Sequence, residues 1–247
     1  MLEWQIELGV TEALQALPVD RLAPPPSPAA RAEATVATGP LAFDLAAAID
    51  AAEAAAAAAR DLPALAEALA AYPHCDLRRG ARNCVFADGN PKARVMIVGE
   101  GPGADEDRLG RPFVGPAGQM LDRMFATIGL ARESPDPARA LYITNTVPWR
   151  PPGNREPTQD ELAMLKPFLV RHIALADPDL LVLLGNVACM ALLGQRGITK
   201  LRGRWTGTQG VPALPMLHPS YLLRFPEAKR EAWADLLKLQ ARLRSMA

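Results

Sequence analysis

Residues 94–103 read Arg-Val-Met-Ile-Val-Gly-Glu-Gly-Pro-Gly, a short apolar run that ends in a glycine-rich turn. A strand with one solvent-exposed face alternates apolar and polar residues, whereas a strand buried on both faces is continuously apolar. Glycine and proline at the end of the run are typical of a tight turn or loop. This stretch therefore predicts a buried strand followed by a loop that ligands can approach closely.

The same pattern recurs down the chain, where apolar runs of strand length alternate with helical stretches. The further strands are expected at residues 141–144, 180–184 and 213–217, and the helices at 117–128, 157–175, 187–193 and 227–242. Such alternation is typical of α/β folds. It predicts a three-layer α/β/α domain with a mainly parallel central sheet.

The first 70 residues have a different composition and predict an Ala/Pro-rich N-terminal extension. A short amphipathic helix is expected at residues 8–17, a Pro/Ala linker at 23–40, and an Ala-rich helix from Leu45 to Ala70 that Pro63 kinks or divides. The expected domain boundary therefore lies between residues 70 and 71. The extension is interpreted as a tether with a packing helix, and a partner-binding arm is the alternative.

Composition and charge exclude several classes of protein. Of the 247 residues, 49% are hydrophobic and 22% charged, as in ordinary globular proteins. Three cysteines do not make a disulfide framework, the N-terminus lacks a basic signal region, and the best apolar run (180–193) is too short to span a bilayer. Residues 1–70 carry a net charge of −7 and residues 71–247 a net charge of +7. We expect a cytoplasmic, monomeric protein without membrane contact, whose larger part can bind a polyanion.

Polar or glycine-rich segments follow all four predicted strands. They are residues 99–103, Asn145, Gly185-Asn186 and His218-Pro219-Ser220. In open α/β sheets ligands bind at the carboxyl ends of the strands, so one site assembled from four loops is expected. Asn186 is interpreted as a helix N-cap. A dinucleotide site is disfavoured, because the last glycine of GxGxxG is missing and residues 105–107 are all acidic.

Together these motifs resemble one known group, the uracil-DNA glycosylase superfamily, and most closely its family 4. The resemblance covers the chain from about Tyr72 to the C-terminus, and the order and spacing of the motifs make it specific. The matching stretches are Gly99-Glu-Gly-Pro-Gly103, Glu106-Asp107, Gly110-Arg-Pro-Phe-Val-Gly115, Thr144-Asn145, Arg150-Pro-Pro-Gly-Asn-Arg155 and His218-Pro-Ser-Tyr-Leu-Leu223.

The resemblance implies how a uracil that has left the DNA stack is bound. Phe113 stacks on the base, the Asn145 amide pairs with uracil O4 and N3–H, and His218 donates to O2, where negative charge develops. The backbone at Gly99 and Gly101 helps to hold the base. Family 1 enzymes carry an aspartate where this chain has Gly101.

The remaining roles implied by the resemblance concern the attacking water and the DNA backbone. Glu100 and Glu106 are expected to position the water or to support the loop. The segment from Tyr221 to Arg224 resembles the wedge that fills the space left by the base. The expected DNA contacts are Arg111, Arg150, Arg155, Ser220, Tyr221, Leu222, Leu223 and Arg224, with Lys200, Arg202 and Arg204 as further phosphate candidates.

The chain departs from family 4 at its iron–sulfur (4Fe–4S) cluster, which four cysteines bind in the family. The matching positions are Tyr72, Cys75, Trp149 and Leu165, so only one of them is cysteine. We therefore expect the cluster to be absent, and the chain to have no cofactor or other metal, with apolar side chains in the cluster's volume.

The expected function is hydrolysis of the N-glycosidic bond of uracil in single- or double-stranded DNA, without a lyase step. Two alternatives remain: a non-catalytic DNA-binding or polymerase-associated adaptor, and the branch of the superfamily that traps uracil-DNA covalently. The N-terminal extension is the expected contact for a repair or replication protein.

Overall fold

The computed structural model describes residues 44–246, and every structural statement below concerns these residues. They form one mixed sheet with helices on both faces. Its strands are β1 (Ala87–Gly89), β2 (Val95–Gly99), β3 (Leu141–Asn145), β4 (Leu180–Leu184), β5 (Thr206–Thr208) and β6 (Val211–Met216).

Ten α-helices are found in the described part of the chain, and four of them have six residues or fewer. They are α1 (Leu45–Ala58), α2 (Leu62–Ala71), α3 (Leu77–Gly80), α4 (Ala104–Leu109), α5 (Pro116–Ala126), α6 (Gln159–Ala176), α7 (Gly185–Leu193), α8 (Ile198–Leu201), α9 (Pro219–Arg224) and α10 (Lys229–Ser245). Short 3₁₀ turns occur at Pro152–Asn154 and Pro226–Ala228.

The strand order in the sheet is β1-β3-β2-β4-β6-β5. The four central strands are parallel, and β1 and β5 pair antiparallel to β3 and β6 at the two edges. After β2 the chain adds β3 on one side and β4 on the other. The strand order therefore switches at β2, and a crevice for ligands is expected at its carboxyl end.

The sheet separates two apolar layers, as the predicted three-layer fold requires. Along β2, Val95 and Ile97 face one layer and Met96 and Val98 the other, and all four are fully buried. Helices α1, α2, α6 and α7 cover one face, and α5 and α10 cover the other. The continuously apolar strand sequence follows from burial on both faces.

The Ala-rich segment forms two helices that pack against the α/β domain. Asp44 and Asp61 cap α1 and α2, and Pro63 lies in the first turn of α2, where proline is tolerated. Ala52 and Leu65 are fully buried in the same core as α6. The compact unit therefore begins at Asp44, whereas the sequence placed the boundary after residue 70. The short helix and linker expected at 8–17 and 23–40 lie outside the described residues.

Two expectations about local structure need correction. Asn186 is not an N-cap: it lies inside α7, and its Oδ1 atom accepts hydrogen bonds from the backbone of Gly197 and Ile198. The edge strands β1 and β5 were not predicted, because each has only three residues and lacks an apolar pattern. Within residues 44–246, no helix combines the length and apolar character needed to cross a membrane.

Candidate active site

The site begins where β2 and β3 end side by side. Gly99 and Asn145 are register partners in the parallel ladder. A Cβ atom on Gly99 would lie 2.5 Å from the Asn145 Oδ1 atom and 2.5 Å from the ring of Phe113. The amide and the aromatic ring therefore meet above a backbone position that has no room for a side chain.

The Asn145 amide carries an unpaired acceptor. Asn145 is 7% exposed, and its Oδ1 atom is buried without a hydrogen-bond partner in the part of the chain that the structure describes. Leaving a buried acceptor unpaired costs roughly 1–3 kcal/mol. A ligand N–H placed in the adjacent cavity would remove that cost.

Phe113 reaches the site from the loop between α4 and α5. Its φ angle of 53° lies in the left-handed region, which is unusual for a residue other than glycine. Helix α5 approaches its backbone so closely that a Cβ atom on Gly118 would lie 1.8 Å from the Phe113 carbonyl oxygen. The centroid of the Phe113 ring lies 5.5 Å from that of His218, so an aromatic ring and an imidazole border the same space.

His218 precedes α9 as its N-cap residue. Its Nδ1 atom accepts a hydrogen bond of 3.2 Å from the backbone N–H of Ser220. Burial and, to a smaller extent, the positive charge of Arg224 lower the pKa of His218 to about 4. The imidazole is therefore neutral at pH 7. With Nδ1 accepting, the proton lies on Nε2, which makes Nε2 a donor.

A single cavity of about 680 Å³ joins these groups. It brings together most of the residues that the sequence singled out, from the loops after β2, β3 and β6. Its lining includes Glu100, Gly101, Glu106, Phe113, Asn145, Arg155, His218, Ser220, Tyr221, Leu223 and Arg224. Gly185, from the loop after the third predicted strand, contributes by packing: its Cβ position lies 3.3 Å from the Cβ atom of His218.

The two candidate carboxylates differ in their surroundings. Glu106 accepts hydrogen bonds from the backbone N–H groups of Gly103, Val114 and Gly115, at 3.1, 3.0 and 2.9 Å. These contacts favour the loop-supporting role for Glu106. Burial, and then the nearby charge of Glu156, raise the pKa of Glu100. Glu100 is thus the carboxylate that faces the cavity without a structural partner of this kind.

Helix α9 presents one of its two leucines to the cavity. Leu222 is fully buried and packs with Met120 and Leu217, so it cannot insert into DNA as one of the expected contacts. Leu223 is 42% exposed and lines the cavity beside Arg224. Of the two leucines, Leu223 is therefore the one exposed at the cavity.

Several of the expected phosphate contacts are engaged in bonds within the chain. Arg155 makes a two-pronged ion pair with Glu161, at 2.8 and 2.6 Å. Arg111 pairs with Asp88 at 2.9 Å, and Arg150 donates to the Asn154 side chain at 2.7 Å. Arg202 pairs with the fully buried Asp235, which ties it to α10. Arg111, Arg150 and Arg202 are outside the cavity lining.

Comparison with known proteins shows which family the chain belongs to. A family model described as "Uracil DNA glycosylase superfamily" matches residues 86–237. The type-4 uracil-DNA glycosylase of Thermotoga maritima is 42% identical over 61% of this chain and 77% of its own length. That of Pyrobaculum aerophilum is 38% identical over 71% of this chain and 91% of its own length. The chain belongs to the type-4 family of the uracil-DNA glycosylase superfamily.

Another relative is a much longer protein, of which only a small part is similar to this chain. A DNA polymerase of Bacillus phage SP01 is 34% identical over 56% of this chain, and the match covers 14% of the polymerase. A stretch similar to this chain can thus be a small part of a DNA polymerase.

The residues at the family's iron–sulfur positions do not fit a cluster. Tyr72, Cys75, Trp149 and Leu165 are all buried in one apolar core, and the Tyr72 hydroxyl donates to the Ala48 carbonyl at 2.6 Å. A cluster needs four thiolates or close substitutes, and burial raises the pKa of the single thiol, Cys75, to about 11. Across residues 44–246, no group of three or more His, Cys, Asp or Glu side chains could hold a metal ion.

Sequence reasoning missed some residues that shape this site. Glu156 lines the cavity one position after the predicted motif 150–155, and it affects Glu100 through its charge. Arg132 does not line the cavity, but it binds the backbone of Phe113. Neither residue has a local sequence signal, because the partners of each lie far away along the chain.

Proposed function

We propose that this glycosylase-family chain removes uracil from DNA by hydrolysing the N-glycosidic bond, which leaves an abasic site. The observation that carries the proposal is the buried, unpaired Oδ1 atom of Asn145, in one cavity with the Phe113 ring and the His218 imidazole. A planar base with an N–H beside a carbonyl fits this set. Uracil presents N3–H beside O4, whereas cytosine presents the reverse pattern of donor and acceptor.

Catalysis in this proposal depends on charge that develops on the leaving base. As the glycosidic bond breaks, uracil gains negative charge at O2 and the sugar becomes oxocarbenium-like. The neutral His218 donates its Nε2 proton in a hydrogen bond to O2. This bond strengthens as the charge grows, so it stabilises the transition state more than the ground state.

The target nucleotide must first leave the stack. Enzymes that act on a base extrude it into a pocket and often insert an apolar side chain in its place. Leu223 is exposed at the cavity and suits that role, and the neighbouring Arg224 can contact a phosphate. Both residues follow His218 on the same short helix, which connects base eversion to the catalytic donor.

Water completes the reaction, and we assign its placement to Glu100. This carboxylate lines the cavity, where burial raises its pKa. A lyase step would need an amine that forms a Schiff base with the sugar. No lysine of the described chain lines the cavity, which supports a monofunctional enzyme.

We propose further that the protein folds and works without the family's iron–sulfur cluster. The support is the buried set Tyr72, Cys75, Trp149 and Leu165, in which three positions lack a sulfur ligand. Iron and acid-labile sulfide assays on anaerobically purified protein test this. Values well below one cluster per chain are expected, and stoichiometric iron and sulfide would overturn the proposal.

The activity itself is tested with a labelled oligonucleotide that contains one deoxyuridine. The protein is produced in a host without its own uracil-DNA glycosylase and assayed with EDTA, on single strands and on duplexes with A or G opposite uracil. Alkali should then break the strand at the deoxyuridine, while a thymidine control stays intact. Absence of breaks in every substrate would contradict the proposal.

Two substitutions test the assigned roles. Asn145→Ala removes the amide that pairs with the base, and His218→Ala removes the donor to O2. Each should lower kcat/KM by roughly 10²–10³-fold, as the loss of one transition-state donor does. Thermal unfolding checks that both variants fold, and Thr206→Ala, on the exposed edge strand β5, serves as the control that retains activity.

The same assay separates the alternative functions. A non-catalytic adaptor would retain the oligonucleotide without breaks after alkali, and a covalent trap would give a stable, slowly migrating adduct. The trapping branch resembles this chain but carries a histidine in the loop after the first motif, and residues 105–112 contain none. The joint presence of Phe113, Asn145 and His218 at one cavity favours the hydrolytic enzyme.

We further propose a monomeric protein of the reducing cytoplasm, with the N-terminal extension as a contact for a repair or replication protein. The three cysteines are unpaired, which fits a reducing compartment. The phage polymerase relative supports a link to replication. Sedimentation of the full chain tests the oligomeric state, and a concentration-independent monomer mass is expected.

A further inference from the structure

Arg132 is a buried cation that contacts the loop carrying Phe113. Its side chain is only 4% exposed. One guanidinium nitrogen, Nη1, donates to the Pro112 carbonyl at 2.9 Å, and Nη2 donates to the Phe113 carbonyl at 2.9 Å. Two consecutive carbonyl groups therefore point at one planar donor. A guanidinium, with its fixed fork of N–H groups, matches this arrangement.

Two carboxylates hold Arg132 in place from the other side. Its Nε atom donates to Asp122 Oδ1 on α5 at 2.9 Å, and its Nη1 atom donates to Asp88 Oδ2 on β1 at 2.8 Å. Burial alone would raise the pKa of Asp88, but hydrogen bonds from Arg111 and Arg132 hold it below its usual value. The buried charge is therefore compensated on a strand and a helix that belong to the sheet scaffold.

The Phe113 loop needs such support, because its backbone is strained. A non-glycine residue in the left-handed region costs on the order of 1–3 kcal/mol and persists where its surroundings fix it. Arg132 binds the carbonyls of residues 112 and 113, and Glu106 binds the N–H groups of Val114 and Gly115. Opposite charges thus hold the backbone of the turn that carries Phe113.

We propose that Arg132 is a positioning residue, which fixes the Phe113 ring as the stacking surface for the base. This inference rests on the proposed function for its consequence in catalysis, while its effect on the loop is independent of that function. Lysine cannot replace Arg132, because a single ammonium cannot reach two carbonyls and two carboxylates in a plane.

Three variants test this role. Arg132→Lys keeps the charge, and Arg132→Ala leaves space for added methylguanidinium. Asp122→Asn weakens the ion pair between Asp122 and Arg132. Arg139→Met is the matched control, since Arg139 is exposed on the same loop and forms no ion pair among the described residues. Steady-state kinetics on the deoxyuridine oligonucleotide, hydrogen exchange and thermal unfolding are measured for each variant.

We expect Arg132→Lys to lower kcat by about 10–100-fold while KM for DNA changes less than threefold, because the contacts of α9 with DNA stay in place. Asp122→Asn should show a smaller loss of the same kind. Millimolar methylguanidinium should restore part of the kcat of Arg132→Ala and leave Arg139→Met unchanged. Hydrogen exchange should increase at the amides of Phe113, Val114 and Gly115, which lie between two prolines, and stay unchanged in β2 and β4.

Wild-type kcat in Arg132→Lys, or faster exchange throughout the sheet, would overturn the positioning role. If the wild-type protein cleaves no deoxyuridine substrate, the proposed function fails, and the exchange data still decide the inference. Faster exchange confined to the amides of residues 113–115 then supports the positioning role of Arg132, and unchanged exchange there rejects it.

Discussion

At the scale of single residues, Gly99 is in close contact with two side chains of the site. Its Cβ position coincides with space that the Asn145 amide and the Phe113 ring already border. Its backbone is not in the left-handed region, so alanine there is strained only by contact and not by conformation. A substitution of Gly99 therefore tests the contacts at the site without adding backbone strain.

Gly99→Ala should reduce kcat/KM by at least 100-fold, because the new methyl group would displace the amide or the ring. The matched control is Gly207→Ala on β5, where a Cβ atom would meet nothing within 4 Å. Oligonucleotide cleavage and Tm are measured for both variants. Comparable activity in the two would contradict the close contact at the end of β2.

Trp149 occupies one of the family's four cluster positions, and its contribution to the core can be measured. It is 2% exposed and lies in the same core as Tyr72 and Leu165. Trp149→Ala should lower the free energy of unfolding by about 3–5 kcal/mol, as for other buried aromatic residues. Urea unfolding measures this change, and a value near zero would mean that Trp149 does not fill the core.

Sequence reasoning found the residues of the site whose signals are local. Asn145 and His218 each end an apolar run, so their place at the carboxyl edge followed from the strand pattern alone. Arg132 could not be found in this way, because its partners Asp88, Phe113 and Asp122 come from three separate segments. Leu222 and Leu223 are equivalent in sequence, and only the packing of α9 distinguishes them.

At the scale of secondary-structure elements, the α1 helix shows how alanine allows close packing. Ala48, Ala52 and Ala56 recur every four residues, and all are buried toward the rest of the domain. Small side chains let two helices approach closely, so this stripe sets the distance between α1 and α6. The sequence predicted the helix from its composition, but composition alone could not show what it packs against.

Ala52→Leu should destabilise the protein by about 1–3 kcal/mol, because three extra carbons must enter a filled contact. Ala54→Leu introduces the same side chain on the exposed face of α1 and should change stability by less than about 0.5 kcal/mol. Urea unfolding distinguishes the two variants. Equal stability would mean that α1 does not pack against the domain in solution.

The edge strands mark the limit of prediction at this scale. Ala87–Gly89 has no residue of high strand propensity, and Thr206–Thr208 is three residues long with a glycine at its centre. They are strands because β3 and β6 offer unpaired backbone groups beside them. The core strands were predicted because each has its own apolar run. The edge strands were missed because they depend on pairing with distant residues, which a single-sequence pattern does not encode.

At the scale of the whole molecule, the buried neutral His172 makes stability depend on pH. His172 bonds the Tyr142 hydroxyl at 2.8 Å and stacks on Phe86 with ring centroids 4.3 Å apart. Burial lowers its pKa to about 3. The unfolded chain, with a histidine pKa near 6.5, binds this proton more readily, so acid favours unfolding.

The contribution of His172 is fully present above about pH 6.5 and is lost as the pH falls towards 3. Between these values it should lower the free energy of unfolding by up to about 1.4 kcal/mol per pH unit. His172→Gln removes the titrating group and should flatten the curve by that amount. Urea unfolding from pH 7 to pH 4.5 tests this, and parallel curves would contradict the low pKa.

The shortness of helix α9 affects how a uracil in DNA would be recognised. Its six residues span about 9 Å, with His218 just before its first turn and Leu223 in its last. A displacement of this short helix as a unit would move both residues together. Under the proposed function, a DNA strand that Leu223 cannot enter also keeps the His218 imidazole away from the base. Insertion into the DNA and the start of bond cleavage are then coupled through one helix.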